Sequence, residues 1–158
     1  MQRIGSPERR AELSLELADE AATSRLARRV ASHARPGDVI ALRGELGTGK
    51  TQFARAFIGE DDVPSPTFTL VQVYERPSGR IWHFDLYRLE RPDEAIELDI
   101  EDAFAEGISV IEWPERLGDL LPRERLEIAF DFAASPTARR LRLTGRGRWA
   151  ELLRDLAA

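Results

Sequence analysis

The sequence predicts an α/β fold, with helices packed on both sides of a central sheet, and three features carry that prediction. The unbroken apolar run Asp38-Val-Ile-Ala-Leu-Arg43 has the character of a strand covered on both faces. It feeds directly into Gly44-Glu45-Leu46-Gly47-Thr48-Gly49-Lys50-Thr51, which has phosphate-loop spacing and is followed by the helical pattern of residues 52–58. Two alternating segments, residues 68–74 and 80–87, flank the turn Pro77-Ser78-Gly79 and predict a β-hairpin. Together they describe an α/β, P-loop NTPase-like three-layer fold with a central mixed sheet that includes a β-hairpin.

Each element follows from its own residues. Residues 1–11 are expected to be a flexible N-terminus, and 12–158 a single domain built on the phosphate loop. Leu13, Leu15 and Leu17 alternate with polar neighbours, as in a half-buried strand. From Glu20 the spacing changes. Ala22, Leu26, Val30 and His33 fall at helical intervals, with Asp19 as N-cap and Pro36-Gly37 as the stop. Residues 59–66 make a polar, proline-containing linker before the hairpin. On the second hairpin strand, Trp82, Phe84 and Leu86 share one face, and His83, Asp85 and Tyr87 the other. The acidic stretch from Pro92 to Gly107 is helical in pieces. Ile108-Ser-Val-Ile111 is a strand ending in Glu112-Trp113-Pro114. Strands at Arg125–Phe132 and Arg140–Thr144 and a helix at Trp149–Leu156 complete the domain.

Composition narrows the chemistry. The 158 residues carry 23 basic and 28 acidic side chains, for a net charge of −5, which disfavours a stand-alone nucleic-acid binder. Without cysteine there are no disulfides, thiolate metal sites or Cys nucleophiles, and two histidines leave little for a His-rich metal site. The start of the chain lacks the apolar core of a secretory signal, so a cytoplasmic location is expected. Lys50 is the single lysine among the basic residues, and it stands in the phosphate motif. The chain has no asparagine, so the Asn-Lys-x-Asp element that reads guanine is missing.

The motif has a physical reason. Glycines let backbone amides turn inward; those amides and the positive helix end cradle the β- and γ-phosphates. Lys50 adds a compact charge, and the Thr51 hydroxyl can ligate magnesium. Glu112 ends an apolar strand where phosphate-loop enzymes keep the acid that completes magnesium coordination, although a solvated strand-end Glu would look the same. Asp85 can orient an attacking water, hold the ion through a water, or simply pair with an arginine. Thr67, in Ser65-Pro66-Thr67-Phe68, stands where nucleotide switches keep a γ-phosphate sensor, though a turn entering a strand explains the same letters. Trp113 is placed near the site by its neighbour or is packing alone. His83 has the character of a hydrogen-bonded structural residue. Arg88, on the same strand as Asp85, can meet a phosphate or a partner.

Taken together, the segments 44–51, Ser65-Pro-Thr-Phe-Thr-Leu-Val71 with Tyr74, His83-Phe-Asp-Leu-Tyr-Arg-Leu89 and Glu112-Trp-Pro-Glu115 resemble the TsaE family, the small ATPase component of tRNA threonylcarbamoyladenosine biosynthesis. They occur in the family's order. The resemblance implies that ATP is bound with Mg2+ held by Thr51 and Glu112, that Asp85, Lys50 and Glu112 are the catalytic set, and that Thr67 belongs to a switch-like loop. Trp113 would lie close to the site. It further places adenine near the start of the first helix, beside Glu20 and Thr23. The implied partners are TsaD and TsaB, in an assembly that ATP hydrolysis resets while TsaD performs the transfer, with tRNA engaged only indirectly. Gln52 and Phe53 replace the residues more usual after Thr51 in that family. A rival from another class is a P-loop small-molecule kinase, which would need an Arg-bearing lid, whereas residues 92–107 are acidic.

Overall fold

The computed structural model of the protein describes residues 9–59 and 70–157. Among these, seven strands form one sheet: β1 (Arg10–Leu17), β2 (Val39–Arg43), β3 (Val71–Arg76), β4 (Gly79–Asp85), β5 (Ile108–Glu112), β6 (Leu126–Phe132) and β7 (Arg139–Arg146), in the order β1-β7-β6-β2-β5-β4-β3. The helices are α1 (Glu20–His33), α2 (Lys50–Ile58), α3 (Ile100–Glu106) and α4 (Arg148–Ala157). The sheet is mixed. β6, β2, β5 and β4 run parallel, while β3 pairs antiparallel with β4, β7 with β6, and β1 with β7.

Side-chain alternation divides the core between the two faces of this sheet. Ile40, Leu42, Val110, Ile128 and Phe130 pack with Leu26 and Val30 of α1, Phe53 and Phe57 of α2 and Trp149 of α4. On the opposite face Val39, Phe84 and Ile111 pack with Ala95, Ile100 and Leu117 from short helical segments. A helix layer on each face leaves β2 with no solvent side, which explains its continuous apolar sequence.

Local boundaries follow capping chemistry. Asp19 accepts a hydrogen bond from the Ala22 amide at 2.9 Å and starts α1, which buries Thr23, Leu26, Ala27 and Val30 as one stripe. The helix stops at His33, a turn before the expected Pro36-Gly37 signal, because a residue preceding proline is driven out of the helical region. α2 begins at Lys50, two residues before the expected start, with Gly49 capping it in the left-handed region at φ 108°. β1 begins at Arg10, so two residues of the expected ragged start are paired with β7. β4 ends at Asp85 rather than Tyr87: the Leu86 amide makes the last ladder bond, to the Glu112 carbonyl at 3.1 Å, and the next amide, that of Tyr87, donates to the Asp85 carboxylate instead of to a strand. The acidic stretch resolves into a 3₁₀ segment, Pro92–Leu98, and α3. A second 3₁₀ segment, Pro114–Leu120, has no counterpart among the elements expected from the sequence. Among the described residues no helix is long and apolar enough to cross a membrane.

One close approach tests the packing of α4. A Cβ added at Gly145 would lie 2.4 Å from the Trp149 carbonyl oxygen and 2.6 Å from its carbon, both rigid backbone atoms. Gly145→Ala is expected to destabilise the fold by about 2–4 kcal/mol, roughly 5–15 °C in Tm for a chain of this size, as measured by thermal denaturation.

Candidate functional site

The loop between β2 and α2 is the floor of a cavity of about 330 Å³. Its shape depends on Gly44, which has φ 147° and lies so close to β6 that a Cβ would stand 2.8 Å from the Phe130 carbonyl oxygen. Within the loop Thr48 donates from Oγ1 to the Glu45 carbonyl at 2.7 Å. Arg139, at the start of β7, donates from Nε to the Thr48 carbonyl at 3.0 Å and from Nη2 to the Gly47 carbonyl at 3.4 Å. A trans peptide carries its C=O and N–H on opposite sides, so engaging the Thr48 carbonyl turns the Gly49 amide away from Arg139. The guanidinium thus braces the loop from the β7 side.

Lys50 is 4% exposed, and its ammonium donates to the Gly44 carbonyl and, at 3.2 Å, to that of Glu45. It also lies 4.0 Å from the centre of the Trp113 ring, a cation–π contact. Burial pushes its pKa below the ordinary lysine value, and the charges of Glu112, Glu115 and Asp85 partly offset that. Trp113 reaches this position from a left-handed backbone, φ 62°, directly after β5, and its ring also meets Tyr87 at 4.8 Å between centroids.

The carboxylates arrive by sheet register. Glu112 pairs with Leu42 on β2 and with Asp85 on β4, so the ends of three parallel strands lie level beside the loop. Glu112 Oε1 accepts from the Thr51 hydroxyl at 2.8 Å, and its Oε2 lies 2.7 Å from His83 Nε2. Asp85 accepts from the Tyr87 amide at 3.1 Å. His83, Asp85 and Glu112 are all nearly fully buried, so of the polar face expected on the second hairpin strand His83 and Asp85 are covered and Tyr87 is exposed.

The structure therefore gathers most residues singled out from the sequence. Glu20, Thr23, Leu46, Gly47, Thr48 and Gly49 line the cavity, as do Lys50, Thr51, Asp85, Glu112 and Trp113. Gly44 and Glu45 shape the loop beneath it. Thr67 lies outside the described residues, as do the linker from residue 60 and the first two residues of the expected hairpin strand. Arg88 is exposed and is not among the lining residues. Sequence reasoning missed Arg139, Pro136 and Thr137, which close the cavity from the β6–β7 turn, and the lining position of Tyr87. Gln52 is more than a neutral replacement. Its Nε2 donates to the Glu20 carbonyl at 2.9 Å and ties α2 to the start of α1 at the cavity edge.

A hydroxyl and a carboxylate 2.8 Å apart at the start of α2 are hard oxygen donors of the kind magnesium takes when substrate phosphates complete its shell. Among the described residues no group of three or more His, Asp or Glu side chains is placed to hold a metal ion.

Comparison with known proteins gives one answer. The family described as threonylcarbamoyl adenosine biosynthesis protein TsaE matches residues 17–141. A tRNA threonylcarbamoyladenosine biosynthesis protein TsaE from Rickettsia bellii is 40% identical over 117 residues, covering 71% of this chain and 81% of the relative. The protein of the same name from Bacillus subtilis is 36% identical over 136 residues, covering 83% and 84%. The crystal structure of Bacillus subtilis YdiB superposes with a TM-score of 0.76 at 29% identity, covering 94% of this chain and 95% of that one. With the matched segment running from the last residue of β1 into β7 and enclosing the whole loop–carboxylate constellation, the chain belongs to the TsaE family of tRNA threonylcarbamoyladenosine biosynthesis proteins.

Proposed function

We propose that the protein is a magnesium-dependent ATPase that resets a TsaB–TsaD assembly between rounds of tRNA threonylcarbamoylation, without transferring the group itself. The observation that carries this reading is the contact of Thr51 with Glu112 at the mouth of a glycine loop whose lysine is buried beside it. Each residue has a task. Loop amides and the start of α2 receive the phosphates, and Lys50 exchanges its two carbonyl partners for phosphate oxygens. Thr51 and Glu112 would hold magnesium, which supplies charge neutralisation at the β- and γ-phosphates. Asp85, oriented by the Tyr87 amide, positions the attacking water. Thr67 senses the γ-phosphate, and the start of α1 around Glu20 and Thr23 receives the adenine. The work is cytoplasmic, where tRNA is modified.

The kinase reading is less well supported, because no residue of the 92–107 stretch lines the cavity and that stretch packs on the far face of the sheet. The decisive experiment measures phosphate release from ATP and Mg2+ with and without TsaB and TsaD. Turnover is expected to be slow alone and to rise at least tenfold with both partners. A phosphorylated metabolite in place of free phosphate, or no response to the partners, would overturn the proposal.

A further inference from the structure

His83 is a puzzle if it is only a core residue. It is 0% exposed, and along its strand Ile81 on the same face belongs to the aliphatic core. Its register partner on β5 is Val110, also core, so an apolar side chain would suit this position. Instead the ring reaches diagonally across the strand pair to Glu112, two residues beyond Val110, and brings Nε2 to 2.7 Å from Oε2. Its other nitrogen, Nδ1, is buried with no hydrogen-bond partner among the described residues. An ionised carboxylate only accepts, so the hydrogen lies on Nε2, and the one polar contact of this buried ring goes to Glu112. That contact occupies one carboxylate oxygen from behind and leaves the other facing the Thr51 hydroxyl at 2.8 Å.

We infer that His83 is a positioning residue: by donating from Nε2 it fixes the rotation of the Glu112 carboxylate and thereby sets how strongly a divalent ion strengthens nucleotide binding. The inference rests on the nucleotide reading above. It follows the general pattern in which a buried donor behind a ligating carboxylate orients it and tunes its hold on the ion. A purely structural histidine would affect folding, and through it every binding constant alike. A positioning histidine affects only the gain that the ion confers.

The test is calorimetry of ATP binding in EDTA and again in Mg2+, on the unaltered protein, His83→Leu and His83→Gln, with Tm recorded for each. In the unaltered protein Mg2+ is expected to tighten binding. In His83→Leu the affinity in EDTA should stay within about threefold while the gain from Mg2+ falls about tenfold, the scale of one hydrogen bond to a charged group. His83→Gln, whose amide can donate from nearly the same place, should recover most of that gain. If His83→Leu does not fold, His83→Asn replaces it, since its shorter amide cannot reach Glu112 and should show the same loss. A gain from Mg2+ that is equal in all variants, or that Gln fails to restore, overturns the inference alone. No binding of ATP by the unaltered protein would overturn the nucleotide reading and the inference with it.

Discussion

Lys50→Ala is expected to weaken ATP binding at least a hundredfold. The ammonium is almost fully enclosed, beside the loop and against the Trp113 ring, and no second lysine exists in the chain to take its place. Removing a single charge-assisted hydrogen bond from so enclosed a site costs about 1.5–3 kcal/mol, and a phosphate tail offers several acceptors to one ammonium. Calorimetry with ATP and Mg2+ reads the loss directly. The control is thermal stability without nucleotide. Burial already disfavours the charged form, so Lys50→Met should leave the Tm of the nucleotide-free protein unchanged or slightly higher. A large fall in Tm would mean that the side chain holds the fold rather than the ligand. Because Lys50 is the sole lysine, an amine-acylating reagent offers a second readout: ATP should shield that position from modification. Unchanged labelling in saturating ATP would argue that the loop takes no phosphate.

Glu112→Gln and Asp85→Asn should each lower kcat about a hundredfold or more, but by separable routes. Glu112 touches Thr51, so its loss should also remove most of the gain in ATP affinity that Mg2+ confers. Asp85 stands level with Glu112 on the neighbouring strand and is aimed by the Tyr87 amide; its loss should depress turnover while leaving that gain intact. Single-turnover kinetics and titrations with and without Mg2+ separate the two. If both variants hydrolyse ATP like the parent in the presence of TsaB and TsaD, the proposed division of labour is wrong.

How far the sequence could be read depends on how local each signal is. Lys50, Thr51 and Glu112 were legible because the loop motif is contiguous and because a strand-end acid beside an apolar run marks its own position. The hairpin was legible from alternation and its turn, and the register bears it out from Val71↔Phe84 to Arg76↔Gly79. The shared face of His83 and Asp85 was legible as alternation, but their near-complete burial was not, because nothing in a hairpin's own sequence says that its second strand will also pair with β5 inside a seven-stranded sheet. Arg139 was invisible for a different reason. It is one of 22 arginines, and its grip on Gly47 and Thr48 exists only because β7 enters the sheet two places from β2. Tyr87, which alternation puts on the face of Asp85, was not singled out as a site residue, yet it lines the cavity from just beyond the end of β4. The 3₁₀ segment after Trp113 turns on Gly118 at φ 53° and ψ −127°, a kink that interrupts any helical period.

The pairing of β1 with β7 has a consequence for how the molecule is made. On a ribosome the phosphate loop emerges early, yet both its brace, Arg139, and the strand that completes β1 are translated only near the other end of the described chain. Nascent β1 must wait with an open edge while almost everything between is synthesised, and the loop has no Arg139 beneath its tip until then. The loop is therefore translated well before the arginine that braces it, so its folded shape depends on a residue 91 positions further along the chain.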